Sequence, residues 1–203
     1  MKHTTKNPTP YHHGDLRRAL IDRAIEVVET EGVEAVSLRA LARDIGVSHA
    51  APIRHFPTRS ALLAAIAKRG ITTLLASAGQ RANEHGMSSL EKLRSMAEGY
   101  VAWAAEYPAH HMLIRNQDVM RHADDELHRE ANAYARLHEE LIRQAQAEGW
   151  RSDQNTHTLF VEITALTSGL ALVASDPIYR TVLPGQLHAK EVGSILGRFF
   201  SEA

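Results

Sequence analysis

The sequence contains no cysteine, only 5% aromatic residues, and no acidic residue between Ile45 and Glu84. Without cysteine there is no disulfide framework, no thiolate zinc site and no cysteine nucleophile, and the chain suits a reducing cytosol. The opening MKHTTKNPTPYHHGD lacks an apolar core, so no secretory signal is expected. The longest apolar run, Leu159 to Ala174, is interrupted by Glu162 and reads as too short to cross a bilayer. These features predict a cytoplasmic chain with no membrane partner. Strict apolar/polar alternation is also missing, which argues against strands. HExxH, a Gly-rich phosphate loop, a serine elbow and paired carboxylates beside a histidine are all absent. No enzyme activity, cofactor or metal is therefore expected. The 13 histidines include adjacent His110 and His111, but neighbours on a helix point about 100° apart and chelate poorly compared with i, i+4 pairs. A histidine-dependent metal protein and a helical protein-binding adaptor stay open as alternatives. Bound metal would reveal the first, and indifference to duplex DNA the second.

What the chain does have is helical spacing and an uneven charge. Residues 1–70 hold 11 Lys+Arg against 7 Asp+Glu, whereas the remaining residues hold 12 against 17. A basic front on an acidic remainder places any polyanionic partner at the N-terminal end. Residues 1–13, with Pro8 and Pro10, read as a flexible arm. A first helix from about Asp15 puts Leu16, Leu20, Ala24, Val27 and Val28 on one face, and Gly32 sits at its C-terminal cap. Ser37 caps a second helix carrying Leu38, Leu41, Ala42 and Ile45. Gly46 breaks it, Ser48 caps a third helix, and Pro57 ends that one. Thr58 opens a long fourth helix to about Glu84. Further helices are expected near 88–107, 109–121, 124–148 and 155–174. A loop from Ser175 to Gln186 and a last helix from Leu187 to Phe200 complete an all-α chain of about nine helices.

Two short helices joined at a glycine and packed on a longer preceding helix describe a helix-turn-helix. On the third helix Pro52, Ile53 and Phe56 share an inward arc, while Ala50, Ala51 and Arg54 point outward. That outer face is small near the helix start and basic beyond it. Such a face presses close to base edges, methyl against thymine methyl, with Arg54 reaching guanine or phosphate. Ser48 and the free N–H groups of the first turn favour a phosphate oxygen. His49, Arg54, His55 and Arg59, with Arg39 and Arg43 on the helix before, lie in or beside the acid-free stretch, as phosphate approach requires. Spacing alone leaves an ordinary helical hairpin open.

The segment YHHGDLRRALIDRAIEVVETEGVEAVSLRALARDIGVSHAAPIRHFPTRSALLAAIA resembles the DNA-binding domain of the TetR/AcrR regulators, densely over residues 11–67. The resemblance implies a three-helix DNA-binding domain over 14–60 and a helical effector-binding and dimerisation domain over 61–203. It implies a homodimer acting as a repressor that a small molecule releases from double-stranded operator DNA. By position, Ser37 would hold a phosphate and Arg39 would reach a base. His49, Ala50 and Ala51 would face bases, and Arg54 and His55 would touch backbone or base edges. Arg59 takes the place of the family's phosphate-binding Lys or Arg. Two positions depart from the pattern: Ile53 replaces a common tyrosine, and Pro52 a common leucine. As the fourth helical residue, Pro52 would delete the first intrahelical bond.

The resemblance also implies an effector pocket, whose lining is chosen by residue type. Met96, Tyr100 and Trp103 form one stripe on the fifth helix. Met112, Arg115, Asn116 and Met120 on the sixth, Tyr134 and His138 on the seventh, and Thr164 and Thr167 on the eighth would complete a cavity. Plain core is the competing reading of each. Arg115, if inward, would suit an anionic effector. Some relatives with a similar YHHG start carry a Trp-x-x-x-His-Gly signature in the eighth helix; here only Gly169 remains. Leu166, Leu170, Val192, Ile195, Leu196 and Phe199 on the last two helices are expected at a two-fold four-helix interface. Gly193 and Gly197, four apart, would admit a neighbouring helix.

Overall fold

The computed structural model describes residues 13–183, 185 and 187–201, so most of the expected N-terminal arm lies outside the described residues. Among these residues there are ten α-helices and no strand. The first, α1 (His13–Glu31), stops at Gly32, which takes φ +89° and donates its N–H to the Val28 carbonyl. After a 3₁₀ turn over Val33–Ala35 comes α2 (Leu38–Asp44). Gly46 ends that segment at φ +73°, with Val47 N–H donating back to Ala42 O at 2.9 Å. The long α3 (Arg59–Ala82) follows, its first turn capped by Thr58 Oγ1 accepting from Ala61 N–H.

Next come α4 (Ser89–Glu106), opened by a reciprocal Ser88–Glu91 capping box, and the short α5 (Pro108–Ile114) and α6 (Gln117–Arg121). Then follow α7 (Asp125–Ala147), α8 (Thr156–Ser175), α9 (Pro177–Val182) and α10 (Ala189–Ser201). The helix expected over 109–121 is therefore two. Asn116 adopts extended backbone, and its Oδ1 accepts from Asp118 and Val119 N–H, restarting the chain as α6. The loop expected over Ser175 to Gln186 contains α9, for which Asp176 is the cap and Pro177 the first residue.

The third helix is the main correction. Residues 49–51 form a turn and only Pro52–Arg54 are helical, in the tighter 3₁₀ form. Pro52 has no N–H to give the Ser48 carbonyl, which accepts instead from Ala51 at 3.0 Å. Arg54 and His55 likewise bond three residues back, to Ala51 and Pro52. The inward arc changes as well. Pro52 and Phe56 are buried, but Ile53 is 57% exposed, and Ala51 is half-buried rather than outward.

Two buried clusters organise the chain. One joins Leu20 and Val28 of α1, Leu41 of α2, Phe56, and Leu62 and Ile66 of α3, and it also takes in Ala109, Leu113, Val119 and Leu127. The second joins α4, α7, α8 and α10 around Leu93, Trp103, Ile142, Ile163 and Leu196. Both α3 and α8 are long and apolar enough to cross a membrane by length and composition, which corrects the expectation that the 159–174 run is too short. Their buried sides pack in these clusters.

The expected interface residues are largely spent inside the chain. Leu170, Val192 and Leu196 are buried in the second cluster, and Leu166, Ile195 and Phe199 are half-buried against it. Gly193 and Gly197 face α4: a Cβ on Gly197 would meet the Arg94 guanidinium at 3.5 Å, and Arg94 donates to Gly193 O. The glycine pair thus faces α4 of its own chain, with the Arg94 side chain lying over it.

Candidate nucleic-acid interface and effector cavity

The segment from Ser37 to Arg59 decides how positive charge meets solvent. Ser37 stands at the N-cap of α2 with extended backbone and no side-chain capping bond, so its hydroxyl is not committed to the helix. Ser37, Arg39, Ser48, His49, Ala50 and Arg54 are all exposed, and Ala51 and His55 are half-buried. Arg39 and Arg54 have no ion-pair partner among the described residues. On the same surface Arg43 pairs with its neighbour Asp44 at 3.7 Å.

Arg59 departs from the expected role. Its guanidinium donates to Val33 O and, at 3.0 Å, to Val36 O, and it pairs with Glu34 at 3.2 Å. Those carbonyls belong to the 3₁₀ turn between α1 and α2, so Arg59 ties the start of α3 to that turn. Its place in the sequence allowed a phosphate contact, but most of its donors are already used.

Between α3, α4, α7 and α8 lies a cavity of about 260 Å³. Seven of the expected residues line it: Met96, Tyr100, Met120, Tyr134, His138, Thr164 and Thr167. Trp103 does not; it is buried in the core, its ring centroid 6.1 Å from Tyr100. Met112, Arg115 and Asn116 lie instead on a separate hollow beside α5. Arg115 and Met112 are exposed, and the Asn116 side chain is spent on capping α6. Sequence reasoning missed Ile71, Leu74 and Phe160, which lack a polar group to mark them; Phe160 packs on His138 at 5.1 Å between centroids.

No charged side chain lines the cavity. Burial raises the Tyr134 hydroxyl pKa and pushes the His138 imidazole down to about 4, so both are neutral near pH 7. Thr167 turns its hydroxyl to the Ile163 carbonyl at 2.7 Å, which removes it as a free donor. The space accepts an apolar body and offers few polar contacts. No group of three or more metal-ligating side chains gathers among the described residues.

The cavity and the N-terminal cluster share residues. Ile71 on α3 belongs to both, while Ile114 and Met120 line the cavity and pack against that cluster. Lys68 pairs with Asp124 at 3.3 Å and with Glu126, and Thr72 donates to Glu130, fastening α3 to α7 beside the cavity.

Residues 20–66 match the family described as bacterial regulatory proteins, tetR family. A curated relative, the uncharacterized HTH-type transcriptional regulator YobS of Bacillus subtilis, is 31% identical over 98 residues, 48% of this chain. That match spans only half the length of the relative. A solved protein of unknown function from Rhodococcus sp. RHA1 is 30% identical, with TM-score 0.74, over 95% of this chain and 97% of its own. AibR, solved with isovaleryl coenzyme A and operator DNA, shares the fold at 16% identity and TM-score 0.72 over 92% of this chain and 99% of its own. The short helices around Gly46 thus lie in a segment that matches the tetR family of bacterial regulatory proteins, and the helical body behind them shares the fold of these solved structures.

Proposed function

We propose that this chain is a sequence-specific DNA-binding repressor, acting as a homodimer and released from its operator by a small molecule. Residues 14–60 would read DNA, and 61–203 would hold the effector and the dimer contacts. The observation that carries the reading is the exposed surface with Arg39 and Arg54, neither ion-paired among the described residues, on a helix-turn-helix that shares a buried cluster with the cavity. DNA binding by such a surface releases counterions and falls steeply with salt. Two recognition elements would enter successive major grooves of a near-palindromic site. The outer side of α8, where Val161 is 50% exposed beside Ala165 and Gly169, offers apolar area for a second copy.

An occupant of the cavity presses on Ile71, Ile114 and Met120, which also pack toward the DNA-reading helices. If one position of α3 fits the ligand and another fits DNA, each partner opposes the other by the same free energy. AibR, with an acyl thioester and operator DNA as its partners, offers a precedent on this fold. Selection of binding sites from random duplexes, then titration of the selected site against random duplex across salt, tests the reading. The expected result is a preference of at least about a thousandfold for the selected site. Equal binding to both duplexes at moderate salt overturns it.

A further inference from the structure

Next to the apolar cavity is a second hollow, also of about 260 Å³, between α5 and the C-terminal end of α8. The two compartments follow one another along α8. Thr164 and Ser168 line the first, and Leu172 and Ser175 line the second, spaced so that all four share one helix face. On the other wall Ile114 belongs to the cavity, while His111 and Arg115 belong to the hollow. Tyr100 stands between them: its ring lines the cavity, meets the His111 ring edge-on at 5.8 Å, and its hydroxyl faces Ser168 within the field of Arg115.

The hollow differs in chemistry. Its wall includes Arg115, which is exposed and has no ion-pair partner among the described residues. Asp176 also faces it, but its Oδ1 accepts from Ile178 N–H at the start of α9. Asn116 is likewise committed to α6. His111 is 1% exposed; its Nδ1 lies 2.8 Å from Ser175 Oγ, and its Nε2 is buried without a partner.

Ser175 makes no other side-chain hydrogen bond among the described residues. The arrangement leaving fewest groups unsatisfied therefore has the Ser175 O–H donating to Nδ1 and the imidazole proton on Nε2. A buried N–H without an acceptor is costly, and an oxygen on a ligand would remove that cost. The Trp103 indole N–H, its ring 6.2 Å from that of His111, is also buried without a partner. His111 and Arg115 thus line the hollow, the Nε2 of the first and the guanidinium of the second both without a partner among the described residues, while beyond Tyr100 lies an uncharged cavity.

We infer that the effector is an amphipathic organic acid, its apolar chain in the cavity and its anionic oxygens in the hollow, held by Arg115 and the Nε2–H of His111. This rests on reading the cavity as the effector site. The chain passes Tyr100, whose ring covers its first carbons. Arg115 supplies the charge complement, and His111 a single directed hydrogen bond. Selection against the matching alcohol follows, because a hydroxyl carries no charge for Arg115.

The test is isothermal titration of the full chain with octanoate and with octan-1-ol, in wild type and two variants. Octanoate should bind at least tenfold tighter than octan-1-ol. Arg115→Gln, at an exposed position, should erase that difference while leaving octan-1-ol affinity as it was. Ala135→Trp, which fills the cavity from α7, should block both compounds. Equal affinity for acid and alcohol, or an unchanged acid preference in Arg115→Gln, overturns the inference; octan-1-ol binding that Ala135→Trp abolishes would still leave the cavity as a ligand site. Octanoate binding indifferent to Ala135→Trp would refute the two-compartment arrangement. Failure of both compounds at millimolar concentration also overturns it, and operator release by other compounds then tests the effector reading separately.

Discussion

The N-terminal end leaves Arg39 and Arg54 exposed with no ion-pair partner among the described residues, whereas the body encloses a cavity that no charged side chain lines. If the partners are a duplex and a small molecule, the contrast follows from their size. A duplex cannot be enclosed, so charge must be held outward, where phosphates come to it. A small molecule can be surrounded, and burying a lone charge around it would cost several kcal/mol. Arg59 shows that position in the sequence alone does not assign a cation to one role: it lies in the acid-free stretch, yet it caps the Val33 and Val36 carbonyls.

Four variants probe that contrast, beginning with the largest effect. Ala135→Trp is expected to abolish ligand release of operator altogether, while operator affinity in the same anisotropy assay falls far less than for Arg39→Ala. Loss of DNA binding with release intact would dissolve the division between the two ends. Arg39→Ala should weaken the selected operator by roughly tenfold to a hundredfold, the range for one base-contacting arginine, with an unchanged melting temperature. Arg59→Ala should do the reverse. Two carbonyls lose their donor, one on the buried Val36, so stability falls by about 1–3 kcal/mol by chemical denaturation. A weakened operator with full stability would return Arg59 to the phosphate contacts. The smallest change is expected from Ile53→Ala. Its exposed apolar side chain suits a thymine methyl in the groove, so a several-fold loss should vanish on operators with uracil in place of thymine.

A pH titration sharpens the comparison from the other side. His111 and His138 are held neutral by burial, each with its pKa pushed down to about 4. The unfolded chain takes up protons first, near pH 6.5, so their contribution is complete above that value. It is lost as pH falls from about 6.5 to about 4, by at most about 3 kcal/mol for each imidazole. His138→Phe should remove its share of the acid loss, read by urea unfolding at pH 7 and pH 4.5. An unchanged pH slope would mean that the cavity already admits water to that ring.

Much of the fold was legible because its signals are local. Gly32, Gly46, Thr58 and Ser88 mark helix ends through φ, a missing Cβ or a hydroxyl, all properties of a few neighbouring residues. Pro52 was also visible as a lost hydrogen bond, but its full consequence was not. Whether one missing N–H merely tilts an α-helix or leaves a 3₁₀ turn depends on how Pro52, Phe56 and α1 pack together. The split at Asn116 and the helix at Asp176-Pro177 carried capping signals that the apolar spacing and the surrounding Pro and Gly obscured.

By itself the sequence determined an all-helical chain, a break at Gly46, an acid-free stretch from Gly46 to Asn83 and an acidic body, because each follows from residue type at short range. Tertiary structure decided what each long side chain does. Arg59 turned to backbone, Arg94 lay across α10 beside Gly197, Arg115 faced a hollow apart from the cavity, and Leu196 entered its own core rather than an outer face. A flexible side chain reaches several ångströms in many directions, so its partner is fixed only when distant helices have met.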